Sequence, residues 1–372
     1  MTLEPNAETG AIGLAEKILT LLDQGRFTAT YKYAVLLALM DLCLEGTSKL
    51  GLPPDVVTSR QLAEKVIELY WPQAVPFDSG DGGRVLKQNQ GAAGSQAAIV
   101  SAIARFRARS GAAPLSRVKL ERAGAFARLT DTVEWKLIEM PLPRLQTIGG
   151  RPHRFLYEIG WDETVRNADV RAYQRREPSD FDNRIMLRAG VADSLVRLNG
   201  LLRPLVHRQW TIQVARLNHL PESRLESFLF GATRIATEAI RPHLEDLQHG
   251  RCFYCERSLD RSTQVDHFIP WARYPDNGLA NLVVAHDRCN LDKRDFLAAT
   301  DHVERWLARN TDRGADVLEE IARDTRWELR REPVLGVAAA VYLNLPPDAE
   351  LWRSKGQFEL VDLERLRRDF HG

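Results

Sequence analysis

Two short pairs of metal-binding side chains, Cys252-x2-Cys255 and His286-x2-Cys289, constrain this chain more than any other feature of its 372 residues. Each pair can grip an ion from one tight turn, and together they make a Cys3His set, which suits a closed, tetrahedral structural zinc site. Only four cysteines are present in the whole chain. That excludes a disulfide framework, and no thioredoxin-like βαβ pattern surrounds the CxxC to make it a redox pair. The spacer, residues 256–285, is longer than a zinc ribbon needs, so the pairs bracket something else. The fourth cysteine, Cys43, follows the apolar run AVLLALM and is expected to be a buried, inert thiol.

Between and just beyond the pairs lie Asp266-His267, Asn281, Asn290 and Lys293. Oxygen ligands from Asp and Asn suit a hard cation such as Mg2+ or Mn2+, and a neutral imidazole is a competent base near pH 7. Those are the parts of a metal-assisted phosphodiester hydrolase. In this combination and order, residues 249–296 resemble the HNH endonuclease family with its ββα-metal motif, in the HNN-type variety. The resemblance implies that His267 is the general base and that Asp266 and Asn290 hold the catalytic cation. It makes Asn281 the residue that pins loop 268–280 and orients His267. Two departures stand out: Asn290 sits where the family often has histidine, and His286 replaces the first cysteine of the second zinc pair.

Local patterning adds detail. A regular strand would send Asp266 and His267 to opposite faces, so a backbone bend is expected there, with Pro270 ending the strand. Pro275-Asp276-Asn277-Gly278 reads as a turn. A helix from Cys289 onward would place Asn290, Lys293 and Arg294 on one face, with Lys293 in the catalytic set and Lys293 and Arg294 meeting phosphate oxygens. His249-Gly250 reads as a helix C-terminal cap, and Trp135, Trp210, Trp327 and Trp352 as core anchors.

Charge is uneven. The chain carries a formal +1, yet residues 82–130 hold nine basic side chains and one acidic, while residues 1–81 hold six basic and eleven acidic. A basic segment in a neutral protein suits a localised phosphate-binding surface, for which Arg105, Arg107, Arg109, Arg117 and Lys119 are the candidates. The segment 249–296 has seven of each sign and would not hold a duplex by itself.

The expected fold is α+β and mostly helical. Helices are predicted over 14–23 (closed by Gly25), 30–45, 58–70 (with a Thr58/Gln61 capping box), 96–109, 129–140, 185–206, 223–248, 303–308 and 316–325. Strands are predicted over 154–161 and in LSRVKLER, residues 115–122, the latter compatible with a winged-helix module. The Gly-rich stretch 79–95 reads as a flexible connector. The expected division is a helical region 1–150, a connecting region 151–248, the nuclease module 249–296 and a helical tail 297–372. The longest apolar run is too short for a membrane span, and the acidic start has no signal-peptide character. A soluble cytoplasmic protein is therefore expected, and the HNH resemblance implies an endonuclease acting on DNA, with RNA left open as substrate. A restriction or anti-phage role, a partner protein of a defence system or a toxin pair, and self-association all fit. The alternative is a non-catalytic zinc module that binds nucleic acid or protein.

Overall fold

The computed structural model describes residues 7–24, 28–77, 83–91, 96–111, 113–231, 237–311 and 313–371. The chain divides into two compact units, one of residues 1–43 and 54–231, the other of residues 44–53 and 232–372. The fold is α+β and mostly helical, as expected, and its sheets are small.

The first unit contains most of a helix that no surface could accommodate. Residues 34–40 of the Tyr31–Glu45 helix are buried without exception, and a helix apolar all round must be wrapped by others. Cys43 is fully buried there, its thiol pushed up to about 12 by desolvation. The Ser59–Tyr70 helix opens on the expected capping box: Gln61 N donates to Thr58 Oγ1 (3.2 Å) and Thr58 N to Gln61 Oε1 (2.8 Å). Such a cap contributes about 1 kcal/mol. Gly25 lies outside the described residues.

Four expectations are corrected. Residues 115–122 do not form a strand: Leu115–Glu121 is a helix that starts after Pro114, and only Val118 is buried in it. Leu120 stands 77% exposed, and Arg117 pairs with Glu121 at 2.7 Å across one turn, an i,i+4 contact that a strand cannot make. That segment supplies no wing. Residues 185–187 belong to a strand, Arg184–Leu187, the centre of an antiparallel sheet with Val56–Thr58 and Tyr157–Ile159. Its side chains alternate out and in, the period of a strand; Gly190, at φ +76°, then turns the chain into the Val191–Arg197 and Asn199–Asn218 helices. The 223–248 helix is broken into Glu226–Phe230 and Arg241–Leu247, because Pro242 is tolerated only in a first turn. Residues 83–91 are no solvated connector: Arg84–Val85 pairs with Pro76–Phe77, and the buried Gln88 amide bonds Thr30, Trp210 and Gln73.

In the second unit, Thr263–His267 and Leu282–His286 form an antiparallel pair with Asp266 opposite Val283 and His267 opposite Leu282, followed by the Asp287–Lys293 helix. Every residue of Leu282–His286 is buried. The Arg241–Leu247 and Arg313–Thr325 helices contribute Leu244, Leu318 and Ile321 to one cluster with Leu279, Leu282 and Val284. Thr300–Thr311, Arg331–Leu343 and Leu363–His371 complete the helices of this region. An unexpected hairpin, Glu350–Ser354 with Gln357–Leu360, interrupts them and brackets Trp352 between the backbones of Leu297 and Ala299.

Gly336, within Arg331–Leu343, lies against residues 44–53, where an added Cβ would come 2.1 Å from the Glu45 carbonyl oxygen. Gly to Ala in a helix ordinarily stabilises, but here overpacking is expected to reverse the sign. Gly336→Ala should lower stability by about 1–3 kcal/mol in chemical denaturation, and a gain would show that the backbone there relaxes freely.

Candidate active site and zinc centre

Cys252, Cys255, His286 and Cys289 converge so that their ligand atoms all lie within 4.8 Å of one another. The first pair sits on a turn closed by Cys252 N to Arg257 O and Glu256 N to Cys252 O, both 2.9 Å, with Glu256 in the left-handed region at φ +56°. Phe253 N then bonds Val284 O at 3.0 Å, which fastens the turn to the buried strand ending at His286. His286 Nδ1 faces Cys255 Sγ at 3.3 Å, and its Nε2 lies 3.0 Å from the Ser258 carbonyl. That carbonyl can only accept, so Nε2 carries the proton and Nδ1 is free to ligate, the usual outer support of a metal-bound histidine. Desolvation, then the neighbouring Cys252 and Cys255, push the Cys289 thiol up to about 12. Three crowded sulfurs cannot all ionise unaided, and a divalent ion would resolve this, so the donor set fits zinc.

Asp266 is buried, and its carboxylate is held on one side. Oδ2 accepts from the Tyr254 hydroxyl at 2.5 Å and lies 3.1 Å from Lys293 Nζ. Burial, followed by the charge of Asp266, raises the Tyr254 phenol well above its ordinary range, so it remains a donor. Oδ1 receives no hydrogen bond among the described residues. Lys293 has no exposed surface and also donates to the His267 carbonyl at 3.0 Å. The expectation that Lys293 shares a surface face with Arg294 is thus corrected: the helix ends at Lys293, and Arg294 leaves it at φ +49° as an exposed side chain. Asn290 donates from Nδ2 to Gln264 Oε1 at 2.9 Å, and Gln264 precedes Asp266 by two residues on the same strand face.

The expected backbone bend is absent. Pairing runs unbroken from Thr263 to His267, so the side chains alternate. His267 Nε2 lies 3.0 Å from Asn277 Oδ1, and its ring packs edge to face against Trp271. Asn281 is fully buried and ties both ends of its loop: Oδ1 accepts from Ile269 N (2.8 Å), and Nδ2 donates to the carbonyls of Ile269 and Asp276 (3.2 Å each). Around it, Trp327 Nε1 donates to Asn277 O, Trp306 Nε1 and Arg309 to Ala280 O, and Arg330 pairs with Asp276.

A family model of the HNH endonuclease matches residues 252–299, and one described as a domain of unknown function (DUF8808) matches residues 9–228, more than half of the chain. The chain belongs to the DUF8808 family and carries an HNH endonuclease domain. No curated protein and no solved structure matches it.

Outside the HNH domain, the DUF8808 match contains the basic segment, and its side chains divide into two groups. Arg107 is half-buried, donates to the Trp71 carbonyl and covers the Trp71 ring; Arg117 pairs with Glu121 and Lys119 with Glu68 at 2.6 Å. Arg105 and Arg109, one helical turn apart, and Arg122 and Arg128 are exposed and make no ion pair among the described residues. Within the HNH domain, sequence reading passed over Tyr254, Gln264, Asn277 and Trp271. Gln264 was open to discovery through the strand period of two, and Tyr254 through its place between the two cysteines.

Protein purified without chelator should contain one zinc per chain by elemental analysis. Cys252→Ser should lose the metal and the folded state of the HNH domain, and zinc affinity should fall as pH is lowered, because the thiols must deprotonate to bind. Full retention of zinc by Cys252→Ser would exclude this ligand set.

Proposed function

We propose that this chain is a divalent-cation-dependent endonuclease that hydrolyses phosphodiester bonds in DNA. The observation that carries the reading is the approach of His267 Nε2 to Asn277 Oδ1. An amide oxygen accepts only, so Nε2 carries the proton and Nδ1 is the atom left to take one from water. Asn281 and the bonds around loop 268–280 hold Asn277, and therefore the imidazole, in that orientation. Asp266, next to His267 in the chain but on the other face of the strand, and Asn290 on the helix packed against it each have an Oδ1 that takes no hydrogen bond among the described residues. Two such donors fit Mg2+ or Mn2+, which keep several waters and take further oxygens from phosphate. The bound cation would polarise the phosphodiester and stabilise the leaving oxygen.

Affinity for the polyanion falls to the first unit, where Arg105, Arg109, Arg122 and Arg128 are open to phosphate; Arg294 is a further phosphate ligand beside the cleavage site. The cysteines of the described residues form no disulfide, which suits a reducing cytoplasm. A restriction or anti-phage role fits a nuclease domain joined to a unit that exposes several arginines, and phage plating on cells that express the wild type or His267→Ala tests it. One such site cuts one strand, so a double-strand break needs two copies or two encounters.

A rival reading, a non-catalytic zinc module that binds nucleic acid or a protein partner, draws on one observation: Asp266 is already neutralised by Lys293. Plasmid incubated with Mg2+ or Mn2+, with and without chelator, separates the two, since intact plasmid under every cation favours the rival. His267→Ala should retain DNA binding in calcium and lose about a hundredfold or more in cleavage rate. Wild-type cleavage by that variant would remove His267 from the site.

Replacing Arg105 and Arg109 with Ala should weaken DNA binding evenly across sequences. The slope of log affinity against log salt should become shallower by about one for each phosphate that is no longer neutralised. Arg107→Ala should instead lower thermal stability, because its guanidinium is committed to Trp71. An unchanged slope in the double variant would place the DNA surface elsewhere.

A further inference from the structure

Taking Asp266 and Asn290 as the cation donors, we propose that Lys293 is a built-in competitor for the divalent ion, so that cation and nucleic-acid phosphate load together. Most phosphate-binding lysines are exposed and swing; this one is fully buried and fixed on three sides. Its ammonium lies 3.1 Å from Asp266 Oδ2, 3.0 Å from the His267 carbonyl and 5.7 Å from the centre of the Tyr254 ring. Asp266 contributes one negative charge, Lys293 cancels it, and Asn290 is neutral. Among the described residues, the zinc ligands form the only convergent group of three or more His, Cys, Asp or Glu side chains, so no second set of this kind adds anionic donors at Asp266.

A divalent ion entering this face meets oxygen ligands without net negative charge, and an ammonium that solvent does not screen. A bound phosphodiester supplies both the missing charge and further oxygen ligands. The geometry also keeps Asp266 ready for that moment. Tyr254 and Lys293 both occupy Oδ2, which leaves Oδ1 for the ion. Lys293 therefore acts as a positioning and gating residue, and it touches no phosphate itself.

The experiment uses zinc-loaded, full-length His267→Ala protein, in which DNA stays intact, and follows free Mn2+ by electron paramagnetic resonance with and without a short DNA duplex. The Asp266→Ala, His267→Ala complex gives the background from ions held by DNA alone. Mn2+ should bind weakly without DNA and at least about tenfold more tightly with it, and Mn2+ should tighten DNA binding by the same factor. Adding Lys293→Met should tighten Mn2+ binding in the absence of DNA and shrink the coupling, since the Tyr254 hydroxyl still orients Asp266. If Lys293→Met leaves Mn2+ affinity unchanged or weaker while its zinc content is normal, the competitor role is overturned. The same holds if DNA leaves Mn2+ affinity in the parent protein unchanged. If Lys293→Met loses zinc, the coupling in the parent protein decides the question. Should Asp266→Ala leave Mn2+ binding unaffected in both states, the cation assignment itself fails, an outcome distinct from failure of the Lys293 role.

Discussion

Three thiols and an imidazole brought within 4.8 Å of one another are the constraint on which the HNH domain rests. The four ligands come from three pieces of chain: Cys252 and Cys255 share a turn, His286 ends the buried strand, and Cys289 lies in the first turn of the Asp287–Lys293 helix. An ion at that point would set the position of the helix that carries Asn290 and Lys293. It would also fix the turn that carries Tyr254, whose hydroxyl reaches Asp266. The Cys3His cluster and the surroundings of Asp266 are therefore one arrangement, joined by the turn that carries Tyr254 and by the Asp287–Lys293 helix.

The loop between the strands shows how rigidity reaches His267. Asn281 fills the inside of the loop with a buried amide, and Trp306, Arg309, Trp327 and Arg330 take its carbonyls and carboxylate from outside. Burial pushes the Arg309 guanidinium down to about 10, which leaves it a cation at neutral pH and a strong donor to those carbonyls. His267 is thus held, through Asn277, by a loop whose polar groups are largely taken up.

Much of this was legible in the sequence, because chemistry-bearing residues at short spacings are local information. The two ligand pairs and the Thr58/Gln61 cap depend on neighbours a few residues away, whereas the Asn281 anchor, which reaches back to Ile269, was legible through the family resemblance. What escaped depends on distant partners. Lys293 reads as a surface cation next to Arg294 until Tyr254 and Asp266 are seen to enclose it. Arg107 reads as a phosphate ligand until Trp71 covers it. The strand expectation for 115–122 rests on the alternation of Val118 and Leu120, whereas the segment is a helix in which only Val118 is buried and Arg117 meets Glu121 one turn on. The 350–360 hairpin is brief: Gln357-Phe358-Glu359-Leu360 alternates, but four residues are too short a run to stand out, and its apolar Phe358 and Leu360 stay exposed.

The seven-residue helix Asp287–Lys293 is held at both extremities, by Cys289 in the zinc cluster and by Lys293 under Asp266. A helix advances about 100° per residue. Loss or gain of one residue between these two anchors would rotate Asn290 off the Gln264 strand face and exchange a buried ammonium for its exposed neighbour. The interval from Cys289 to Lys293 is therefore fixed in length as strictly as in composition, and variation between proteins of this construction has to be accommodated by the loops on either side of it.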